Sequence, residues 1–451
     1  QSHNVAVGFY AGREITTGPN NTIIGSQAGD ALTTGASNVA IGKSALSTET
    51  TASNNVAVGR DAMANTELSS HNVAVGTQAL QSVTNTTLLN TYNIGIGSFA
   101  GKDITTGSKN VLVGGFAGDD MTTGQDNIGI GYHAIGGITT GDSNIAIGFE
   151  AGNSLTSGNA QVLIGHETGQ SLTTGARNVA IGHNALKTED EHGRNVAIGY
   201  QSLKILNAGA DAFNTAVGYD SGLNITTGTQ NTLIGGRAGD ALTTGTRNVA
   251  MGYLALSAED TGNRNVAIGV DALLVANNND SNYNTAVGDS AGESVSTGIS
   301  NTIIGGLAGD QLTTGSNNII IGYAAAASAV DVSNEITLGD GNISSIRCQV
   351  QTISSLSDER DKTNIQDSTY GLDYINSLRP VTFEWNNREE SVHKGTKDVG
   401  FISQELQKVD DEYTKLVSTS NPERLEASYA RLIPVLVKAI QDLSEEVKQL
   451  K

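Results

Sequence analysis

Histidine and aspartate side chains recur at regular steps along this chain, so metal binding is the first chemistry to consider. His166 and His183 lie 17 residues apart, but two imidazoles without a third ligand make a weak metal site. The Gly-Gly-x-Gly-x-Asp nonapeptide of calcium-binding β-rolls is absent from the sequence. We therefore expect no metal and no other cofactor. The same absence argues against calcium at the four aspartates that follow Ala-Gly: Asp30, Asp119, Asp240 and Asp310.

A second concentration of reactive side chains is the segment Ser357-Asp358-Glu359-Arg360-Asp361-Lys362. From these residues alone, the simplest interpretation is the start of a helix. Ser357 would be the N-cap, and the acidic side chains after it would favour the helix N-terminus.

These side chains must be positioned by a chain that is mostly repeat. An Asn-like residue followed by three mostly apolar residues and a Gly occurs nineteen times, usually at 17-residue steps. Such a period predicts a solenoid. The anchors are Asn4, Asn21, Asn38, Asn55, Asn72, Asn93, Asn110, Asn127, Asn144, Gln161, Asn178, Asn195, Asn214, Asn231, Asn248, Asn265, Asn284, Asn301 and Asn318, with a degenerate copy at Glu335.

One repeat, Asn231 to Arg247, shows how a coil should fold. It has two β-prone runs, Thr232 to Ile234 and Leu242 to Thr244, each ended by Gly, so we expect two short strands per coil of a parallel β-solenoid. The first run is apolar on both faces, which predicts burial against the coil interior on one side and against another chain on the other. We expect the anchor Asn side chains to stack and bond along the ladder, with a solvated turn position as the alternative.

The phrase Asn-Val-Ala-Ile-Gly with Ala three residues later, as in Asn178 to Ala185, resembles the head repeats of trimeric autotransporter adhesins. That resemblance implies a trimeric β-roll, although the 17-residue period is longer than these heads usually have. Thr-Thr-Gly also recurs in nine or more coils, and stacked Thr here is best explained by β-structure rather than by ice binding.

Three intervals between anchors are longer than the rest, at 21, 19 and 19 residues. Insertions in a solenoid form surface loops, so we predict receptor contacts there, led by Tyr92, Phe213 and Tyr283. The alternative is that these rings pack on their own coils. The other apolar residues of the insertions are Leu88, Leu89, Ile205, Leu206, Leu274 and Val275.

Charge and composition argue against several classes of partner, above all nucleic acid and anionic membranes. The net charge is −20, and residues 1–346 hold 12 Lys and Arg against 28 Asp and Glu. Such a surface repels nucleic acid and anionic membranes, and no apolar run approaches the ~20 residues that span a bilayer. The single cysteine, Cys348, excludes an intrachain disulfide framework.

Beyond Cys348 the repeat ends and the composition changes. Four motifs follow in order: Ser-Asp-x-Arg-x-Lys at 357–362, Leu-Arg-Pro-Val at 378–381, Gly-Phe-Ile-Ser-Gln-Glu-Leu at 400–406, and Leu-Ile-Pro-Val-Leu-Val-Lys-Ala-Ile at 432–440. Together they closely resemble the C-terminal intramolecular chaperone of phage tailspikes and tail fibres, including endosialidases. We expect a fibre shaft at 1–346, a connecting segment at 347–356 and an α+β chaperone at 357–451.

That resemblance implies a trimeric chaperone that folds the shaft and then cuts itself off. Ser357 would be the nucleophile, Lys362 the general base, and Leu356-Ser357 the cleaved bond. A lysine amine is protonated near neutrality, so it needs burial to act as a base; Arg360 would help and the neighbouring acids would oppose. Because residues five apart on a helix point about 140° apart, Ser357 must precede the helix or receive Lys362 from another chain.

The last segment has a heptad pattern, with Ile433, Ile440 and Val447 at one core position and Leu436, Leu443 and Leu450 at the other, which predicts a short coiled coil. The preferred interpretation is a homotrimeric, mostly β tail fibre of a phage. It would be folded in the host cytoplasm, carried on the virion and used to bind a host receptor or glycan, with autoproteolysis in a single turnover as its only catalysis. A bacterial trimeric adhesin with the same chaperone and a glycan-cleaving tailspike are the alternatives.

Overall fold

The computed structural model describes residues 3–279, 281–343, 345–347, 357–386, 395–419 and 425–450. Residues 1–346 carry a ladder of three-residue strands that form one 20-stranded sheet. Each strand pairs in parallel with the strand of the next coil, as Val179–Ile181 does with Val196–Ile198. The predicted mostly β parallel solenoid with 17-residue coils is confirmed.

The ladder strands are β1 Val5–Val7, β2 Thr22–Ile24, β3 Val39–Ile41, β4 Val56–Val58, β6 Val73–Val75, β8 Ile94–Ile96, β9 Val111–Val113, β10 Ile128–Ile130, β11 Ile145–Ile147, β12 Val162–Ile164, β13 Val179–Ile181, β14 Val196–Ile198, β15 Thr215–Val217, β16 Thr232–Ile234, β17 Val249–Met251, β18 Val266–Ile268, β19 Thr285–Val287, β20 Thr302–Ile304, β21 Ile319–Ile321 and β22 Ile336–Leu338. Two further strands, β5 Glu67–Ser70 and β7 Thr84–Asn90, pair with each other beside the ladder.

The middle residue of each ladder strand points into the coil, and the two outer residues point away. Ala197 is fully buried whereas Val196 and Ile198 are half-buried. The middle Ala therefore faces its own core and not the second chain predicted for the outer side of the strand. The outward face of the strands consists mostly of β-branched residues.

A small middle residue is explained by a large one later in the same coil. Where the strand has Ala250, the position six residues on is Leu256, and both are fully buried. Where the strand has Leu233, that later position is Gly239, whose added Cβ would lie 2.9 Å from a Leu233 methyl. The two positions share one space, so the core keeps its volume from coil to coil.

The second β-prone run forms a turn rather than a strand. Leu242 to Thr244 are not assigned as a strand, so the expectation of two strands per coil is wrong. The run is still bonded along the ladder, since Thr226 Oγ1 and Thr226 N both donate to Thr243 O, at 3.2 and 2.9 Å. The Thr226 hydroxyl thus bonds the backbone of the next coil, which agrees with the interpretation of the recurring Thr-Thr-Gly as a structural feature.

The anchor asparagines form the predicted ladder, buried rather than solvated. Asn127 Nδ2 donates to Gly141 O at 2.8 Å, and Asn127 Oδ1 accepts the backbone N–H of Asn144 at 3.0 Å. In most coils the anchor side chain thus bonds one backbone group near the end of its own coil and one at the start of the next coil. These bonds pair polar groups that would otherwise be buried alone.

Glycine closes each ladder strand because the next coil lies too close for a side chain. Gly131 has φ of 138°, and an added Cβ would lie 2.2 Å from the carbonyl oxygen of Gly148. No other residue type fits both the dihedral angle and the distance.

The tail is a small α+β unit built from short elements. A 3₁₀ turn at Glu359–Asp361 is followed by α1 Leu372–Ser377, β23 Val381–Glu384, β24 Lys397–Gly400, α2 Ser403–Leu406, β25 Val417–Ser418, β26 Glu426–Ala427, a 3₁₀ turn at Tyr429–Arg431 and α3 Leu432–Gln449. Its small core is formed by Leu406, Leu416 and Leu432. Residues 348–356, which hold Cys348 and most of the predicted connecting segment, lie outside the described residues, so the segment boundaries stay a prediction.

Helix α3 packs on this core through one face and leaves its heptad stripe uncovered. Leu432, Val435 and Ala439 are buried, whereas Ile433 is 61% and Ile440 66% exposed. Among the helices that the structure describes, none is long and apolar enough to cross a membrane.

Candidate functional site

Ser357 and Lys362 meet at the start of the tail. Lys362 Nζ lies 2.6 Å from Ser357 Oγ and 3.3 Å from the carbonyl oxygen of the same serine. Both residues belong to one chain, and Ser357 precedes the 3₁₀ turn that Lys362 follows. Of the two geometries left open by the sequence, the structure therefore has the one within a single chain.

One 3₁₀ turn brings the serine and the lysine together. Asp358, not Ser357, is its N-cap, and its carboxylate accepts the backbone N–H of Arg360 at 2.9 Å. The simple interpretation of Ser357 as a helix cap is therefore wrong. With the cap supplied by the next residue, the Ser357 hydroxyl is left for Lys362.

The charge on Arg360 is already paired. Its guanidinium donates two hydrogen bonds to the Asp358 carboxylate, at 2.6 and 3.0 Å. This contact holds the pKa of the Asp358 carboxyl below its usual value and raises the pKa of Arg360. Arg360 therefore offers little of the help to Lys362 that the sequence suggested, because a neighbouring negative charge offsets it.

A hydroxyl and an amine at this separation can exchange a proton. Ser357 and Lys362 are both exposed in the isolated chain, whereas a lysine base needs a site shielded from water. Leu356, the other residue of the expected cleavage bond, lies outside the described residues.

The three candidate contact residues Tyr92, Phe213 and Tyr283 occupy one equivalent position, directly before an anchor Asn. The rings of Phe213 and Tyr283 are each covered on one side by an arginine of the preceding coil, Arg194 and Arg264, with 5.2 Å between guanidinium and ring centre in both cases. Phe213 is nevertheless 51% exposed and Tyr283 54% exposed. They rest on their own solenoid and still present a surface.

The remaining loop residues divide between surface and core. Leu206 is fully buried, so it belongs to the core rather than to a contact surface. Leu274 is half-buried. The exposed members are Leu88, Leu89, Ile205 and Val275.

His166 and His183 stack as their spacing predicts, with ring centres 4.9 Å apart. They are part of a longer row of rings that the sequence reasoning missed, although the 17-residue register contains it. Each ring covers the faces of its neighbours, so the row presents ring edges to the outside. The row runs through Tyr132, Phe149, His166, His183, Tyr200 and Tyr219.

Glu189, Asp190 and His192 bring possible metal-ligand atoms within 4.8 Å of one another. The carboxylates of this group have protein partners. Glu189 accepts backbone N–H groups of His192 and Ala208, at 3.2 and 3.3 Å, and Asp190 accepts that of Glu191 at 2.7 Å. Hydrogen bonding within the chain accounts for the cluster.

Part of the tail is similar to a known family of domains. Residues 357–417 match the family model described as "Chaperone of endosialidase". This confirms the resemblance drawn from the tail motifs; the match begins at Ser357 and contains the first three of the four motifs.

The chain is also similar to the long tail fibre protein Gp37 of Enterobacteria phage Ox2, at 32% identity over 116 residues. The alignment covers 25% of this chain and 43% of that relative, so the chain spans less than half of the relative's length. No solved structure matches significantly.

Proposed function

We propose that this chain is a segment of a homotrimeric phage tail fibre whose C-terminal chaperone assembles the shaft and then cleaves itself off between Leu356 and Ser357. The observation that carries the proposal is the 2.6 Å contact between Ser357 Oγ and Lys362 Nζ. The chaperone match and the tail-fibre relative support the same proposal.

The proposed cleavage is an acyl transfer within the chain. Lys362, in its neutral form, takes the proton from Ser357 Oγ, and the oxygen attacks the carbonyl carbon of Leu356. The C–N bond to Ser357 then breaks, its nitrogen receives the proton, and an ester links Leu356 to the serine oxygen. Water hydrolyses that ester and releases a C-terminal piece that begins with Ser357.

Trimer assembly supplies the burial that this chemistry requires. The isolated chain leaves Ser357 and Lys362 in water, and it also leaves apolar surface uncovered on the outward strand face and on α3. Ile130 of the ladder is 37% exposed and Leu443 of α3 is 49% exposed. Covering both surfaces with two further copies removes this apolar area from water. Cleavage then reports that assembly is complete.

The assembled shaft serves attachment to a host, through a receptor or glycan on the cell surface. Two exposed rings, Phe213 and Tyr283, each paired with an arginine, form a surface of the kind enriched in binding hot spots. In this proposal the protein acts outside the cell as part of the virion.

The decisive experiment compares the full chain with its Ser357→Ala variant by gel electrophoresis and mass spectrometry. Wild type should release a fragment whose N-terminal residue is Ser357, while the variant should remain intact and trimeric by light scattering. A stable single subunit for both proteins would contradict the assembly step. A Lys362→Ala variant that cuts as fast as wild type would show that another group is the base.

A further inference from the structure

Three buried glutamates occupy a position that is apolar in most other coils of the solenoid, Thr66 being a further polar residue there. The eleventh residue after each anchor, here called the leucine rank, is fully or almost fully buried in coil after coil, for example Leu155, Leu172 and Leu242. Glu49, Glu189 and Glu259 lie at this same rank, and each is fully buried. A carboxylate in an apolar core is costly unless hydrogen bonds satisfy it.

The partners of these carboxylates differ according to what lies in the next coil. The coil after Glu49 has the ordinary length of 17 residues. Glu49 is satisfied chiefly within its own coil, by the N–H groups of Thr50, Thr51 and Ala52 at 2.9, 3.0 and 2.8 Å. It reaches the next coil only through Ser69 N at 3.4 Å.

Glu189 and Glu259 each lie directly below a coil of 19 residues. Glu189 accepts the N–H of Ala208, in the inserted loop 207–212, at 3.3 Å. Glu259 accepts hydrogen bonds from Asn282 Nδ2 at 2.6 Å and Asn278 N at 3.4 Å, both in the inserted loop 277–282, of which the structure describes every residue but 280. Each carboxylate therefore joins the core of one coil to the extra residues of the next.

The two sites repeat the same construction 70 residues apart. In the first, Arg194 pairs with Asp211 of the loop at 2.6 Å and lies over the ring of Phe213. In the second, Arg264 donates to the Ser281 hydroxyl of the loop at 2.8 Å and lies over the ring of Tyr283. The loop, the arginine and the ring form one unit whose inner end is the glutamate.

We propose that Glu189 and Glu259 are positioning residues that hold the inserted loops so that each Arg–aromatic pair is presented as a receptor-contact surface. The presentation to a receptor rests on the proposed attachment function. The holding of the loop does not, since it follows from the contacts of the carboxylates alone.

The test uses Glu189→Leu and Glu259→Leu in the full chain, because leucine is the commonest residue of this rank. Hydrogen exchange followed by mass spectrometry measures the exchange rates of the backbone amide hydrogens in each inserted loop. Loss of a hydrogen bond to a charged group should speed exchange in the corresponding loop by about tenfold or more. Loop 277–282 should be unchanged in Glu189→Leu, and loop 207–212 unchanged in Glu259→Leu.

Two further variants separate positioning from general stability. Glu49→Leu alters the same rank beneath an ordinary coil and should leave both loops as in wild type. Glu189→Gln keeps one acceptor oxygen and should restore most of the protection of its loop against exchange. If Glu189→Leu does not fold, Glu189→Gln provides the test of this loop. Unchanged exchange in loop 207–212, or equal acceleration throughout the neighbouring strands, would overturn the proposal.

Attachment is measured separately, as adsorption of particles carrying each variant to host cells. Faster loop exchange with unchanged adsorption would uphold the positioning role and reject these loops as the contact surface. Faster exchange together with reduced adsorption would support both.

Discussion

Ser357 and Lys362 meet because one 3₁₀ turn separates them, and the turn forms because Asp358 caps it. The capping carboxylate also pairs with the Arg360 side chain, so the turn is held by a cap and an ion pair from the same aspartate. Lys362 lies beyond the turn and returns to the serine hydroxyl. A residue pair that a longer helix would separate is thereby brought into contact.

Replacing Lys362 by arginine tests the role of this amine as a base rather than as a positive charge. Arginine can keep a hydrogen bond to Ser357 Oγ, but it does not lose its proton under ordinary conditions. We expect Lys362→Arg to assemble as wild type does and to remain uncut for at least ~100 times longer, in line with the loss of general-base catalysis. Time-resolved mass spectrometry of the purified chain measures this rate.

Cleavage of Lys362→Arg at the wild-type rate would assign the lysine a structural role. Lys408→Arg is the matched control, since Lys408 lies in the same domain. It should cut normally.

The site could be predicted from the sequence only as far as its residue types and their order. The motifs indicated Ser357 and Lys362 as a pair, and the contact in the structure fits that prediction, although their catalytic roles stay predictions. The identity of the cap could not be predicted, because serine and aspartate are both favoured N-caps. Local hydrogen-bond geometry decided between them.

Each ladder strand has only three residues, so side-chain bonds must help to keep neighbouring coils in register. In most coils the anchor Asn does this by bonding a carbonyl near the end of its own coil and the N–H of the next anchor, although Asn265 Nδ2 has no hydrogen-bond partner among the described residues. Gln161 is the exception in type: its longer side chain still donates to Gly175 O and accepts Asn178 N at 3.0 Å. The rank thus tolerates an amide of either length.

We expect Asn144→Ala to lower the free energy of unfolding of the shaft by about 2–4 kcal/mol. The change leaves two buried backbone groups without partners, the N–H of Gln161 and the carbonyl of Gly158, which Asn144 now bonds at 3.1 and 2.8 Å. Denaturant unfolding of the shaft, followed by circular dichroism, measures the loss.

Gln161→Asn is the companion variant, because it restores the usual residue of the rank. It should leave stability unchanged or raise it. A negligible effect of Asn144→Ala would mean that water satisfies those backbone groups in the mutant.

The repeat allowed the solenoid to be predicted. It did not show which side chains of each strand face the core and which face outward. An apolar strand such as Val196-Ala197-Ile198 has no polar residue to mark its outer face. The exchange of size between Ala250 and Leu256 marks the inner face, but it becomes visible only when coils are aligned by register. The second β-prone run was mistaken for a strand because threonine favours extended structure wherever it lies.

Over the described residues, most shifted acidic groups of the shaft differ in the direction of their pKa shift from those of the tail, whereas Glu167 of the shaft has its pKa lowered by the hydrogen bond from Lys187. Burial raises the pKa of shaft carboxyls at Glu49, Asp119, Glu189, Asp240, Glu259 and Asp271. In the tail, hydrogen bonds from partner side chains lower the pKa of Asp358, Glu405, Asp411 and Asp442. For Asp411 the donor is the Tyr370 hydroxyl, which brings the pKa to about 2.

These shifts predict opposite responses to acid. A group whose folded pKa is raised gives stability that is present at low pH and lost as pH rises through that value, so the shaft should become more stable as pH falls toward the ordinary glutamate value of 4.5. A group whose folded pKa is lowered gives stability that is lost as pH falls through it. The tail should therefore weaken between its ordinary aspartate value of 3.8 and about 2.

Scanning calorimetry of the uncut Ser357→Ala chain at pH 6, 4.5 and 2.5 can follow both transitions in one molecule. We expect the shaft transition to move up between the first two values and the tail transition to move down between the last two. Replacing Glu49, Glu189 and Glu259 by leucine should flatten the response of the shaft without changing that of the tail. If both transitions instead fell together from pH 6, the buried carboxylates would have to be charged and stabilising in the folded shaft, which contradicts the cost of burying them. The opposite slopes also have a consequence for the particle: in weak acid the shaft gains stability, while the chaperone that built it loses stability only in stronger acid.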